Sequence, residues 1–167
     1  KTELMKLKPE LIPKSEAHIA AKLQDDVTII GVYFRPSWDT DDKLVALWDI
    51  FDKVDNLDKV ILAGDMNIKP NTADFHAFCE ELKWRGLTLA SNPTLTTFIG
   101  SQAGENGSIL DHIFVGSGIQ DPQTRVYSDI VASDHFPIGI TFRMKRKSKP
   151  KKTKKLEQRK LDHEACG

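Results

Sequence analysis

A layered α/β domain on a mixed sheet is predicted by three observations. Val27-Thr28-Ile29-Ile30-Gly31-Val32-Tyr33-Phe34 and Val60-Ile61-Leu62-Ala63 are apolar runs of strand length, the first rich in β-branched residues. Each is followed by a stretch of helical period. Beyond Gly86 the period shortens to a series of strands separated by turn residues.

The first strand ends at Arg35-Pro36-Ser37. A helix is expected from Asp41 to Asn56, because Leu44, Leu47, Trp48, Phe51 and Val54 recur on one face and acids fill its first turn. The Val60 strand runs directly into Gly64-Asp65. A second helix from Thr72 to Trp84 buries Phe75, Phe78, Cys79 and Leu82, with Gly86 placed to stop it. Strands are then expected at Leu87 to Ala90, Thr96 to Ile99, Ile109 to Val115, Thr124 to Tyr127 and Ile138 to Phe142, with a turn over Gly100 to Ser108. Pro9 and Pro13 interrupt the charged opening, so residues 1–26 are expected to be weakly structured, with one short element near Glu16 to Leu23. The domain proper is assigned to 27–142, and 143–167 reads as a solvated basic tail.

The charges balance at 24 basic and 24 acidic residues, but not locally. From Arg143 to Lys160, 11 lysines and arginines face one acid, Glu157; from Lys1 to Phe142, 13 face 21 acids. An acidic body therefore carries a basic tail. No apolar run is long enough to span a membrane. Cys79 and Cys166 are far apart and lack metal-ligand spacing, which argues against a disulfide framework and for a reducing compartment. A nuclear or cytoplasmic location is expected rather than secretion.

Three motifs put polar groups at strand ends or inside apolar strands. In Gly64-Asp65-Met66-Asn67, the glycine allows a tight exit, a carboxylate can orient or deprotonate water, and an amide two residues on can donate to a phosphorane oxygen. The same four residues serve equally well as a turn with an Asx hydrogen bond. In Ser133-Asp134-His135-Phe136-Pro137, neighbouring side chains point to opposite faces, so Asp134 and His135 cannot serve as each other's partner. Asp111 lies inside Ile109-Leu110-Asp111-His112-Ile113-Phe114-Val115, where an unpaired carboxylate is costly. Pairing Asp111 with His135 satisfies both groups and orients the imidazole. Tyr33 closes a buried strand, and its hydroxyl is a candidate contact for a phosphate. Thr96 and Thr97 offer hydroxyls whose usual role is structural. His18, His76, His112 and His163 read as structural, and Trp38, Trp48 and Trp84 as packing or surface aromatics.

Taken together, Val32-Tyr33-Phe34-Arg35-Pro36, Ala63-Gly64-Asp65-Met66-Asn67, the Ser108 to Val115 strand and Ser133 to Ile138 resemble the exonuclease–endonuclease–phosphatase superfamily. The wording is most similar to the endonuclease domain of non-LTR (LINE-type) retrotransposons. That resemblance implies a four-layered α/β sandwich of the deoxyribonuclease I type and Mg²⁺-dependent (or Mn²⁺-dependent) hydrolysis of DNA phosphodiesters. It also implies a downstream reverse transcriptase as companion. By position, it makes Asp65 the group that activates water and Asn67 a phosphate contact. His135 would touch the scissile phosphate with Asp111 behind it, Asp134 would hold the metal, and Tyr33 would assist at the phosphate or leaving group.

The family also places a metal-binding Glu at a strand end upstream of the tyrosine strand. Here 32 residues precede Tyr33, and Glu3, Glu10 and Glu16 lie in the Pro-broken opening rather than after an apolar strand. The first half of the sandwich is therefore expected to be missing and activity impaired. Competing expectations are a phosphatase or lipid phosphodiesterase, a catalytically dead remnant that binds nucleic acid, and an acidic interaction domain. Lys145, Arg146, Lys147, Lys149, Lys151, Lys152, Lys154 and Lys155 are the candidate phosphate contacts of the tail.

Overall fold

The computed structural model describes residues 10–12, 14–23, 26–100, 106–130 and 132–144. Alternation in the Val27 run sets the architecture. In β3 (Thr28–Tyr33), Ile30 and Val32 point to one face of the sheet and are buried, while Ile29 and Tyr33 point to the other. Helix α1 (Thr40–Phe51) then crosses over to β4 (Val60–Asp65), which pairs parallel to β3 with Tyr33 beside Asp65. A parallel pair needs such a crossover, and α1 supplies it. Asp39 caps α1, its carboxylate accepting from the Asp42 N–H at 2.9 Å, and the helix stops at Phe51, short of the expected Asn56.

Helix α2 (Ala73–Trp84) leads to β5 (Leu87–Leu89), and β6 (Asp111–Gly116) inserts between β4 and β5, antiparallel to both. Gly86 ends α2 with φ +87°, the left-handed turn that glycine accepts freely. Thr72 caps its start, its hydroxyl accepting from the Phe75 N–H at 3.1 Å. Replacing this cap by alanine is expected to remove about 1 kcal/mol. A loss of about 2–4 °C in the thermal midpoint would record it.

The opening holds two strands, β1 (Glu10–Ile12), which corrects the expected weak structure there, and β2 (His18–Lys22), which is the short element expected near Glu16 to Leu23. They complete a six-stranded sheet of order β1-β2-β3-β4-β6-β5. Pairing with β3, from His18 against Val32 to Lys22 against Thr28, specifies β2 more than its composition does. The expected strand at Thr96 to Ile99 is reduced to Phe98, which bridges both Ser108 and His135. The Thr124 strand begins earlier, as β7 (Ile119–Val126). Pro122 is accommodated where the register shifts between Gln120 and Gln123, beside Asp121 at φ 48°. β7 pairs with β8 (Ile138–Met144) as a separate two-stranded sheet.

Three layers result. Leu47, Ile50, Phe75, Phe78 and Leu82 of the helices pack on Ile30, Leu62 and Phe114 of the large sheet. Phe78 meets Phe34 and Phe114 edge-on at 6.4 and 5.9 Å. Each such fully buried side chain contributes roughly 1.5–3 kcal/mol of transfer free energy. On the opposite face, Ile61, Ile113 and Val115 pack against Ile119, Ile138, Ile140 and Phe142 of the hairpin. The hairpin covers β4 and β6. On β1 to β3 the same face leaves Leu11, Ile19, Ile29 and Tyr33 exposed, at 68, 55, 38 and 54 %. No helix among the described residues is long and apolar enough to cross a membrane. The tail lysines and arginines from Lys145 onward, and Cys166, lie outside the described residues.

Candidate active site

The ends of β3, β4 and β6 meet in one cleft. Tyr33 lies beside Asp65 across the parallel pair, and Asp65 faces Asp111 across the antiparallel pair. A cleft of about 390 Å³ at this end is lined by Tyr33, Asp65, Asn67, Lys69, Phe98 and His135, among others.

Asp111 and His135 form the pair their chemistry demands, with Asp111 Oδ2 accepting from His135 Nδ1 at 2.8 Å. The carboxylate can only accept in this state, so Nδ1 carries the proton and Nε2 is turned to the cleft, 3.8 Å from Asp65 Oδ2. The Phe98 ring lies 4.8 Å from the imidazole, centre to centre, and restricts it from the side.

Burial, and then the nearby charge of Asp111, raise the Asp65 carboxyl above the ordinary range, while hydrogen bonds from Asn67 act in the opposite direction. Such a shift makes a carboxylate a better proton acceptor near neutral pH. The Asn67 N–H donates to Asp65 Oδ1 at 3.0 Å. Its side-chain amide donates to Asp65 Oδ2 at 3.1 Å and to the Phe34 carbonyl at 2.7 Å. The Gly-Asp-Met-Asn motif is thus an Asx turn that carries the Asp65 carboxylate into the cleft lining. The Asn67 amide protons are engaged by Asp65 and Phe34, and Asn67 also lines the cleft.

Thr97 plays a larger part than an isolated strand threonine suggests. Its buried hydroxyl accepts from the N–H groups of Leu110 and Asp111 at 3.0 and 3.1 Å. The Thr97 carbonyl accepts from the Phe136 N–H at 2.7 Å. One residue thus ties together the segments that carry Asp111 and His135. The signal available in sequence was only its position between two motifs.

Asp134 is exposed and is not among the residues that line the cleft; its carbonyl accepts from the Ile99 N–H at 2.8 Å. Among the described residues, no three His, Cys, Asp or Glu converge in a way that would hold a metal ion. Glu16, on the opening segment, pairs with Arg35 at 2.8 Å instead of facing the cleft. A cage built from these residues alone is therefore absent. Burial pushes the Cys79 thiol up to about 11, and it does not line the cleft. Trp38 and Trp48 pack against the core, and Trp84 is exposed.

The family model for the endonuclease/exonuclease/phosphatase family matches residues 12–135, a span that holds the whole cleft. The chain belongs to the endonuclease/exonuclease/phosphatase family. Among solved structures it is similar to the endonuclease domain of TRAS1, a telomere-specific non-LTR retrotransposon, with a TM-score of 0.70 and 20% identity. That match covers 84% of this chain and 69% of the other. The 3′ phosphatase NExo from Neisseria, bound to a product DNA hairpin, matches at TM-score 0.59 and 19% identity, covering 83% and 71%. A functionally unknown conserved protein from Enterococcus faecalis V583 matches at 0.55 and 19%, covering 77% and 55%. At these identities the likeness establishes the α/β fold. No curated protein matches the chain.

Proposed function

We propose that the chain is a phosphodiester hydrolase of this family that acts on DNA as an endonuclease of retrotransposon type. The observation that carries the reading is the line Asp111–His135–Asp65, held in one cleft beside Tyr33. Water held by Asp65 gives up its proton to that carboxylate as its oxygen attacks phosphorus. The bond from phosphorus to the leaving oxygen then breaks. His135 faces the phosphate through Nε2, and Asp111 holds the ring and balances its charge when it is protonated. Tyr33, half in water, is placed to donate its hydroxyl proton toward a phosphate or leaving oxygen.

Mg²⁺ belongs to the same proposal, with Asp134 as the carboxylate put forward. This ion is usually held by one or two carboxylates plus substrate phosphate rather than by a complete protein cage. Lys69 is the one lysine or arginine lining the cleft among the described residues, and it adds a positive charge for a polyanion. A downstream reverse transcriptase remains the companion that the retrotransposon reading calls for.

A second reading, a chain that binds DNA without cutting it, draws on the absence of a three-ligand metal group among the described residues. Nicking of supercoiled plasmid in Mg²⁺, with an EDTA arm, separates the two. Nicking that EDTA abolishes is the expected result. Binding without nicking by a folded chain would establish the second reading. Release of phosphate from a 3′-phosphorylated end, with no nicking, would move the chain to the phosphatase branch.

A further inference from the structure

Resting on the hydrolytic reading, we propose that Lys43 and His112 are positioning residues. They are two buried donors that grip consecutive carbonyls of the loop after β4 and so hold Asp65 and Asn67 in place. The loop alternates. Met66 and Ile68 are buried in the core, while Asp65 and Asn67 turn to the cleft. Asn67 sits at φ 48°, a left-handed backbone that asparagine adopts more readily than most non-glycine residues but still at some cost.

From one side, Lys43 on α1 reaches the Asn67 carbonyl with Nζ at 3.2 Å. From the other, His112 on β6 meets the Ile68 carbonyl with Nε2 at 2.9 Å. A carbonyl only accepts, so Nε2 carries the proton and the neutral ring is the donor. The two side chains are 5 and 1 % exposed.

Neither is a comfortable core residue. Burial lowers the Lys43 ammonium below its ordinary range, with the carboxylates of Asp74, Asp39, Asp65 and Asp42 opposing the shift. Burial likewise keeps His112 neutral, and its Nδ1 has no hydrogen-bond partner. An apolar side chain would suit both places at lower desolvation cost: Lys43 shares its helix face with Leu47 and Ile50, and the His112 ring lies tilted against Phe75, 4.9 Å between centres. What both residues add is a hydrogen bond to the same loop.

The arrangement also couples the two halves of the site. β6 turns Asp111 toward His135 on one face and His112 toward Ile68 on the other. One strand thus fixes the distance between the imidazole and the Asp65 carboxylate.

The test uses Lys43→Met, His112→Phe and His112→Gln in the full chain, the last of which restores a donor. Two readouts are taken: backbone amide exchange, and kcat and KM for plasmid nicking. In Lys43→Met and His112→Phe, exchange at Asn67 should rise about tenfold or more while the Ile30 and Leu62 amides keep their protection. kcat should fall at least about tenfold with KM within about twofold. His112→Gln should recover most of both. Unchanged Asn67 exchange in the first two variants would overturn the proposal, as would a loss of protection shared equally with Ile30 and Leu62. If one variant does not fold, the other decides on the same criteria. A wild-type chain that does not nick would count against the endonuclease reading alone, because exchange at Asn67 still reports on the clamp.

Discussion

His135→Ala is expected to lower the nicking rate by about a hundred- to ten-thousandfold while leaving the fold intact. The ring lies at the margin of the hairpin layer, not in either apolar core, so its removal opens no large cavity. Its two nitrogens divide the work, Nδ1 to Asp111 and Nε2 to the cleft. Asp65→Ala should be at least as damaging, since it removes the proton acceptor itself. Asp111→Asn is the more telling change. The amide keeps the shape but can offer its own N–H to Nδ1, which favours the wrong tautomer. Groups that act as a unit are not additive, so the His135→Ala/Asp111→Asn double variant should be no slower than His135→Ala. Single-turnover nicking at saturating DNA measures all four. Near-normal turnover by His135→Ala or Asp65→Ala would remove these residues from the chemistry.

Gly64→Ala carries the largest expected effect on stability, about 3 kcal/mol or more. Gly64 sits in β4 at φ +142°, a conformation nearly closed to other residues. A Cβ there would lie 2.1 Å from the Val32 carbonyl oxygen and 2.9 Å from the Val32 nitrogen, so backbone would have to move. The strand that moves is the one ending in Tyr33. Urea unfolding should show the lost stability, with a drop in the thermal midpoint of about 6–12 °C. Gly86→Ala is the internal comparison. Its φ is +87°, but nothing lies within 4 Å of the added atom, so only the left-handed penalty of about 1–2 kcal/mol applies. Equal losses in the two variants would show that the close approach at Gly64 contributes nothing.

Much of the site was legible because its residues violate local expectations. Asp111 was conspicuous as a carboxylate in an apolar strand, and a partner for it had to exist. Strands β3, β4 and β6 were visible because buried strands read as continuous apolar runs. β1 was hidden by the opposite circumstance, and β2 showed only as a short element near Glu16 to Leu23. Both are short, flanked by prolines and lysines, and specified by their ladders, β1 to β2 and β2 to β3, rather than by their own composition. Lys43 was passed over although it falls four residues before Leu47 and seven before Ile50, on the buried stripe of α1. A lysine there reads as the edge of a solvated face. Only the fold shows a carbonyl waiting for its ammonium. His112 was given a structural role, and its contact is structural in form. What sequence alone could not supply is the loop it holds. Asn67 could be placed but not aimed, because its side chain has a choice between substrate and Asp65 that the position of Phe34 helps to decide.

The sheet face over β1 to β3 has a thermodynamic consequence. Leu11, Ile19, Ile29 and Tyr33 already meet water in the native state. Unfolding therefore hydrates less new apolar surface than in a domain whose sheet is covered on both sides. The heat-capacity increment of unfolding per residue is therefore expected to be lower than it would be with that face covered. A lower increment flattens the dependence of stability on temperature, so calorimetry is expected to record a shallower stability curve.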